Sequence, residues 1–345
     1  MKIALDATYS LGEHLSGVGV YSQELARGLA AAHPEQAFQL CYRPHRYFRS
    51  FSERLPPNCR RALLQEPWLP LSRDLFHGLN QRLPAMRFRK TVTTFHDLFV
   101  LTGDYSTAEF RRRFAQQARH AAAESDRIIA VSRFTASQVE QLLGVEPERI
   151  HVIHHGVHTP AGPTAAAREN IILNVGAIQR RKNIGRLVTA FEGIAPGWQL
   201  VLAGSAGYGA EKILRQIELS PRRESIRVLG YVTAEELARW YARARVFAFP
   251  SLDEGFGMPV LEAMAAGVPV VASNRSALPE VCGTAALLVD PEDTQALTEA
   301  IERLTKNAAL ADDLIGRGKL RAAEFTWKRA AEKTWMVYEK LLETK

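Results

Sequence analysis

Cysteine is scarce: Cys41, Cys59 and Cys282 are the only three in 345 residues, with no metal-ligand spacing and one left over in any pairing. That excludes a disulfide scaffold, and the three read as inert thiols of a reducing cytoplasm. Long apolar runs are also missing. No stretch of about 18 apolar residues occurs, so no segment reads as crossing a bilayer. Met1-Lys-Ile-Ala-Leu-Asp6 reaches a charge too early for the apolar core of a signal peptide. His154 and His155 are adjacent, so they point apart and make a poor metal pair. What remains, 46% hydrophobic and 23% charged, excludes a disordered or fibrous chain and fits a soluble enzyme. The length is large for one core, so two domains are expected.

The net charge of +7 is concentrated. Arg43 to Lys90 contains eleven basic residues against Glu53, Glu66 and Asp74. Within it, Arg46-Tyr-Phe-Arg-Ser-Phe51 interleaves arginines with aromatics. Two readings stand: a solvated basic face, or attraction to an anionic membrane or a phosphate-bearing acceptor. No nucleic-acid-binding motif accompanies the segment, so nucleic acid is not expected as a partner.

Strands and helices alternate along both halves, the pattern of an α/β chain with parallel sheets. Lys2 to Ala7 reads as the first strand, followed by a loop to Gly19 and a helix from about Val20 to Ala32. Ser16-Gly-Val-Gly19 then lies at a strand's carboxyl end, where glycine lets backbone N–H groups face a phosphate. Short strands are expected over 40–42 and 75–77, and a clearer one over Thr91-Val-Thr-Thr-Phe95. That strand runs into His96-Asp97, a position where ligand-contacting residues gather in open α/β sheets. The other reading of His96 is a loop histidine bonded to backbone. A helix over 107–125, a strand over 126–132, a helix over 133–143 and a strand with a glycine turn over 150–157 complete the half.

Thr159-Pro-Ala-Gly-Pro-Thr-Ala-Ala-Ala167 is the clearest composition shift and marks the domain boundary. The expected domains are 1–163, joined by 327–345, and 164–326. Beyond the boundary, strands are expected over 171–175, 199–203, 226–229, 246–249, 268–272 and 287–290. Helices are expected over 184–193, 235–244, 294–304 and 327–342. Trp327, Ala331, Trp335 and Tyr338 recur at helical spacing, a core stripe rather than a ligand site. Arg180-Arg-Lys182 follows a strand and supplies three cations suited to a diphosphate.

The stretch from Ser251 to Ala272 is the richest in the chain. A strand ends at Pro250, and Gly255 and Gly257 give a loop that a ligand can approach closely. Pro259 suits the first turn of a helix, and Gly267 ends it. Glu254 and Glu262, separated by seven residues, flank a helix N-terminus whose N–H groups and dipole favour an anion.

Glu254-Gly-Phe-Gly-Met-Pro-Val-Leu-Glu262 resembles the Glu-x7-Glu motif of glycosyltransferase family 4, the retaining nucleotide-sugar transferases of GT-B fold. Gly17-Val-Gly19, His96-Asp97, Val131-Ser132, Gly156-Val157 and Arg181-Lys182-Asn183 match the family in its order, so the resemblance covers nearly the whole chain. It implies two Rossmann-like domains facing a central cleft, with the C-terminal helix crossing back to the first. It implies catalytic roles for His96, Arg181, Lys182 and Glu254. His96 would lie at the sugar's reacting face, Glu254 would contact the sugar hydroxyls, and Arg181 and Lys182 would neutralise the departing diphosphate. Donor binding would use Gly17 and Gly19 amides, Tyr231 and Val232 at the base, and the backbone of Gly255, Phe256, Gly257 and Met258. Val260 and Leu261 amides would meet the distal phosphate, and Glu262 the ribose.

Two departures stand out. Gly176-Ala-Ile-Gln179 lacks the arginine that many relatives carry after that glycine, and His154-His155 replaces the usual Pro-Asn before Gly156. The form of the two motifs resembles bacterial mannosyl- or rhamnosyltransferases of surface-polysaccharide assembly. The expected reaction is hexosyl transfer, mannose from GDP-mannose, to a glycan or polyprenyl-diphosphate-linked acceptor at the inner face of the membrane. The absence of any Asp-x-Asp run suits action without metal or other cofactor, Arg181 and Lys182 replacing a divalent ion. The competing readings are a GT-B epimerase, which needs no acceptor, and a silent sugar-nucleotide binder, against which both intact carboxylates argue.

Overall fold

The computed structural model describes residues 1–12, 14–65, 74–86, 88–160 and 168–343. The chain forms two compact units, Met1–Gly156 with Phe325–Lys345, and Val157–Glu324.

Unit 1 is built on seven parallel strands: β1 (Lys2–Asp6), β2 (Ala37–Tyr42), β3 (Cys59–Leu63), β4 (Leu75–Gly78), β5 (Thr91–Phe95), β6 (Arg127–Ala130) and β7 (Ile150–Val152). Their order is β3-β2-β1-β4-β5-β6-β7, so the winding reverses between β1 and β4. Every residue of β4 and β5 is buried, as expected of parallel strands covered by helices on both faces. β3 was not expected, because Cys59-Arg-Arg-Ala-Leu63 reads as part of the basic run; it pairs with β2 in register Phe38 to Cys59.

The first helix spans Gly17–Ala32, three residues earlier than its apolar pattern indicates, because Ser16 caps it by accepting a hydrogen bond from the Gly19 N–H at 3.3 Å. The last helix, Trp327–Glu343, buries Trp327, Ala331, Trp335 and Tyr338 on one stripe, as their spacing predicts. It packs against Gly17–Ala32, and a Cβ on Gly28 would stand 3.1 Å from that of Ala331, so a small residue permits the approach. Its ring of Trp335 stacks on His33 with centroids 3.7 Å apart. A Cβ on Gly156 would fall 2.2 Å from the Trp327 backbone nitrogen. Glycine is required there by this close passage of main chain.

Unit 2 carries β8 (Glu169–Val175), β9 (Gln199–Ala203), β10 (Ile226–Gly230), β11 (Ala244–Phe249), β12 (Val270–Ser273) and β13 (Ala286–Val289). The order is β10-β9-β8-β11-β12-β13, all parallel, with the reversal between β8 and β11. Asn174 ties these two central strands, its side-chain amide donating to the Ala248 carbonyl at 2.7 Å. Two helices of ten residues or more were not expected, Ala210–Leu219 and Ala308–Ala323. The second packs under helix Met258–Ala265, where a Cβ on Gly318 would meet the Met264 side chain at 3.2 Å.

Candidate active site

Ligands of open α/β sheets bind beyond the carboxyl ends of the strands, at the point where the winding reverses. In unit 2 that point is fixed by β8 and β11. The segment after β8 forms a single turn, Arg180–Lys182, and the segment after β11 carries Asp253 and Glu254. Adjacent strands thus bring together residues 72 positions apart in sequence. The two segments are joined by the Leu252 N–H donating to the Arg181 carbonyl at 2.8 Å.

The side chains form one ionic cluster. Arg181 Nη1 lies 3.0 Å from Glu254 Oε2, and Lys182 Nζ donates to Glu254 Oε1 at 2.6 Å. Arg181 also donates to the Asp253 carbonyl. Lys182 stands 4.9 Å from the centre of the Phe249 ring, a cation–π contact. Glu254 and Arg181 are buried, whereas Arg180 is exposed. Burial alone would raise the Glu254 carboxyl; Arg181 and then Lys182 overcome it and hold the pKa at about 2. The cluster therefore sets two cations against the Glu254 carboxylate, with Asp253 buried beside them at the sheet rim.

Local chemistry explains how the cluster is held. Asn183 adopts the left-handed conformation at φ 59°, which asparagine tolerates better than most residues. Its amide donates to the carbonyls of Pro250 and Pro291 at 3.1 and 2.6 Å, anchoring the cationic turn to two other loops. Ser276 accepts from the Glu254 N–H at 3.0 Å, and the Glu254 carbonyl accepts from the Ala277 N–H at 3.2 Å. The neighbouring rim is lined by glycine. A Cβ on Gly204 would stand 2.0 Å from the Gly176 carbonyl oxygen, and the Gly204 N–H donates to the Gly230 carbonyl at 2.8 Å.

Helix Met258–Ala265 begins at Gly257, whose φ of 111° and a Cβ position 2.7 Å from Leu278 both demand glycine. Pro259 has no N–H to offer, and the Val260 N–H donates to the Gly257 carbonyl at 3.0 Å. The Val260 amide is thus engaged within its own turn, which corrects the expectation that it points at a phosphate. Leu261 is buried, as are Gly255, Phe256 and Gly257, whereas Met258 is half-buried. Glu262 is half-buried, and the Tyr241 hydroxyl donates to its Oε2 at 2.9 Å. Burial raises the Glu262 pKa against the opposing hydrogen bond from Tyr241. Sequence reasoning missed Tyr241, since a tyrosine on the apolar stripe of helix Ala234–Arg243 reads as core. Tyr231 follows β10 with 43% of its surface exposed, and Val232 beside it is half-buried.

In unit 1, His96 follows β5 and is buried, its Nε2–H donating to the Leu79 carbonyl at 2.9 Å. Burial lowers its pKa to about 4 against that hydrogen bond. The imidazole is therefore neutral at physiological pH, and Nδ1 is the acceptor nitrogen. Tyr21 meets the ring edge-on at 4.7 Å and His155 stacks on it at 5.4 Å. The helix start at Gly17 corrects the view of Ser16 to Gly19 as a loop. The Gly19 amide goes to the Ser16 cap, and a Cβ on Gly19 would stand 2.8 Å from the Tyr9 carbonyl oxygen. Among the described residues, no group of three or more His, Cys, Asp and Glu side chains converges on a point that could hold a metal ion.

Two parallel Rossmann-like sheets, each reversing its winding at the centre, make up a GT-B fold. The fold is that of sucrose-phosphate synthase from Thermosynechococcus elongatus, with a TM-score of 0.82 and 24% identity over 100% of both chains. Residues 15–160 match the model of Glycosyltransferase Family 4, and residues 160–321 match Glycosyl transferases group 1. The chain belongs to glycosyltransferase family 4. It is 31% identical to the O-antigen chain mannosyltransferase B of Escherichia coli, covering 99% of this chain and 100% of that one. It is 33% identical to the MMP alpha-(1->4)-mannosyltransferase of Mycolicibacterium hassiacum over 66% of this chain and 57% of that protein.

Proposed function

We propose that this glycosyltransferase moves mannose from GDP-mannose, with retention of anomeric configuration, to a glycan or polyprenyl-diphosphate-linked acceptor. The observation that carries the reading is the pairing of buried Arg181 and half-buried Lys182 with one carboxylate at the winding reversal of unit 2. Two cations held on one carboxylate suit a diphosphate that gains charge as it leaves. The choice of mannose is supported by the two relatives, both named as mannosyltransferases.

The acceptor hydroxyl attacks the anomeric carbon from the face the diphosphate leaves. The bond from that carbon to the phosphate oxygen breaks, and a phosphate oxygen takes the acceptor's proton. Arg181 and Lys182 stabilise the charge that develops on the phosphate, where fixed cations in a water-poor site are most effective. They take the place of a divalent ion, and no cofactor is required. Glu254 holds both cations in position and presents its carboxylate to the sugar hydroxyls. His96, neutral and accepting through Nδ1, receives a hydrogen bond from a sugar hydroxyl. The backbone from Gly255 to Met258 and the start of helix Met258–Ala265 line the sugar and distal phosphate, and Tyr231 and Val232 border the base. Tyr241 fixes one oxygen of Glu262, and the other accepts from the ribose. A lipid-linked acceptor brings the enzyme to the inner face of the membrane.

A thermal-shift panel of GDP, UDP, ADP and dTDP tests the donor, because a ligand bound only by the folded state raises its stability by mass action. GDP is expected to give the largest shift, and a larger one from another nucleotide overturns the donor assignment. Calorimetry on Glu262→Ala should show GDP binding weakened by about 1.5–3 kcal/mol, the range for a hydrogen bond to a charged group. Unchanged GDP binding removes the ribose role.

A further inference from the structure

Outside the site, the most unusual surface of unit 1 is the chain that follows β2. Helix Pro44–Tyr47 runs directly into a 3-10 turn, Phe48–Ser52. With three residues per turn, such a helix places residues i and i+3 on one face. Phe48 and Phe51 accordingly project together, and Tyr47 meets both rings edge-on at 5.7 and 5.5 Å. Phe48 is 83% exposed and Phe51 59%; no large apolar side chain among the described residues is more exposed than Phe48.

The rings are displayed from a fixed base. Ser50 is fully buried and its hydroxyl donates to the Tyr47 carbonyl at 2.6 Å. From β3, Arg61 Nε donates to the Ser50 carbonyl at 2.9 Å, and its guanidinium lies 5.1 Å from the centre of the Phe51 ring. The surrounding charge is of one sign. Between Arg43 and Arg61 stand six arginines against Glu53 alone, and Arg49, Arg54 and Arg60 are exposed. Glu66, Arg73 and Arg87 of the wider basic segment lie outside the described residues.

We propose that this turn docks the protein on an anionic phospholipid surface. Phe48 and Phe51 enter the boundary between headgroups and acyl chains, and Arg49, Arg54 and Arg60 meet the lipid phosphates. Reversible binding of this kind needs two signals, a small apolar insertion and a basic surround, and the turn supplies both. A second copy of the chain is a poor occupant. A two-fold contact sets the same patch against itself, and like charges would then face each other. The proposal does not depend on the donor or on the chemistry of transfer.

The full-length protein is floated with vesicles of phosphatidylglycerol and phosphatidylcholine, and with phosphatidylcholine vesicles alone, at low and at high salt. The wild type is expected to float with the anionic vesicles only, and less at high salt. The double variant Phe48→Ser/Phe51→Ser should lose at least about tenfold in partitioning at both salts, since two aromatic rings are removed from the apolar phase. The triple variant Arg49→Gln/Arg54→Gln/Arg60→Gln should lose about tenfold or more at low salt, the loss expected from three basic residues near an anionic surface. Both variants change exposed side chains, so melting temperature and nucleotide-induced thermal shift should match the wild type. The proposal is overturned by absence of flotation at low salt, or by a phenylalanine variant that floats like the wild type. Concentration-dependent self-association that Phe48→Ser abolishes, without flotation, would assign the turn to a protein contact instead.

Discussion

Replacing Glu254 by alanine should lower the unfolding free energy at neutral pH by about 3–5 kcal/mol, the cost of removing one partner from a buried ionic cluster. The reason is asymmetry. Arg181 and Lys182 each lie within hydrogen-bond reach of a different oxygen of Glu254, and their side chains are only 9% and 11% exposed. Without the carboxylate, two positive charges remain close together with little water to stabilise them. Turnover should fall as well, by about 10²-fold, because cations that drift by an ångström no longer meet the leaving phosphate.

The same residue sets a pH dependence with a definite sign. The folded-state pKa of Glu254 is about 2 against an ordinary 4.5. Its contribution is fully present above the ordinary value and is lost as pH falls toward the folded value. The depression corresponds to about 3 kcal/mol. Urea unfolding of wild type and Glu254→Ala should therefore differ most near neutrality, and the gap should narrow by about pH 3. A gap below about 1 kcal/mol at neutral pH, the value of an exposed pair, would remove the buried-cluster account.

Lys182→Ala should act on the chemistry rather than on the fold. Arg181 still compensates Glu254 in that variant, so the loss of stability should be well below that of Glu254→Ala. Turnover should drop by about 10²–10³-fold, the cost of deleting one group aimed at developing charge, with a smaller change in KM for the donor. Steady-state kinetics with a saturating acceptor separates the two quantities. Wild-type turnover in Lys182→Ala would exclude Lys182 from leaving-group stabilisation.

Much of the fold was legible because parallel strands are short, apolar and bounded by polar or glycine-rich loops. Thr91–Phe95 and Gln199–Ala203 lie where their sequences indicate. The exceptions have physical causes. β3 carries two arginines in five residues; as an edge strand beside β2 it leaves Arg60 exposed, while Arg61 turns back to the Ser50 carbonyl. Helix Ala308–Ala323 contains Gly316 and Gly318, which break its apolar pattern, yet Gly318 is what lets it lie against Met264.

The couplings between the candidate site's residues were not legible in the sequence. Glu254, Glu262, Arg181 and Lys182 stand out by residue type and by position after strands. That Glu254 bonds both cations follows only from the pairing of β8 with β11, which no local spacing encodes. Tyr241 and Ser276 are similarly silent in sequence, one hidden in a helical stripe and the other in an unremarkable loop. The approach of Gly156 to the main chain at Trp327 is likewise silent in sequence.

The most direct test of the account is a reaction of the wild-type protein with GDP-mannose and a mannose-terminated polyprenyl-diphosphate oligosaccharide, followed by NMR. The account predicts GDP release that depends on the acceptor, with mannose joined in the anomeric configuration of the donor. Release at the same rate without acceptor, or an inverted linkage, would contradict it.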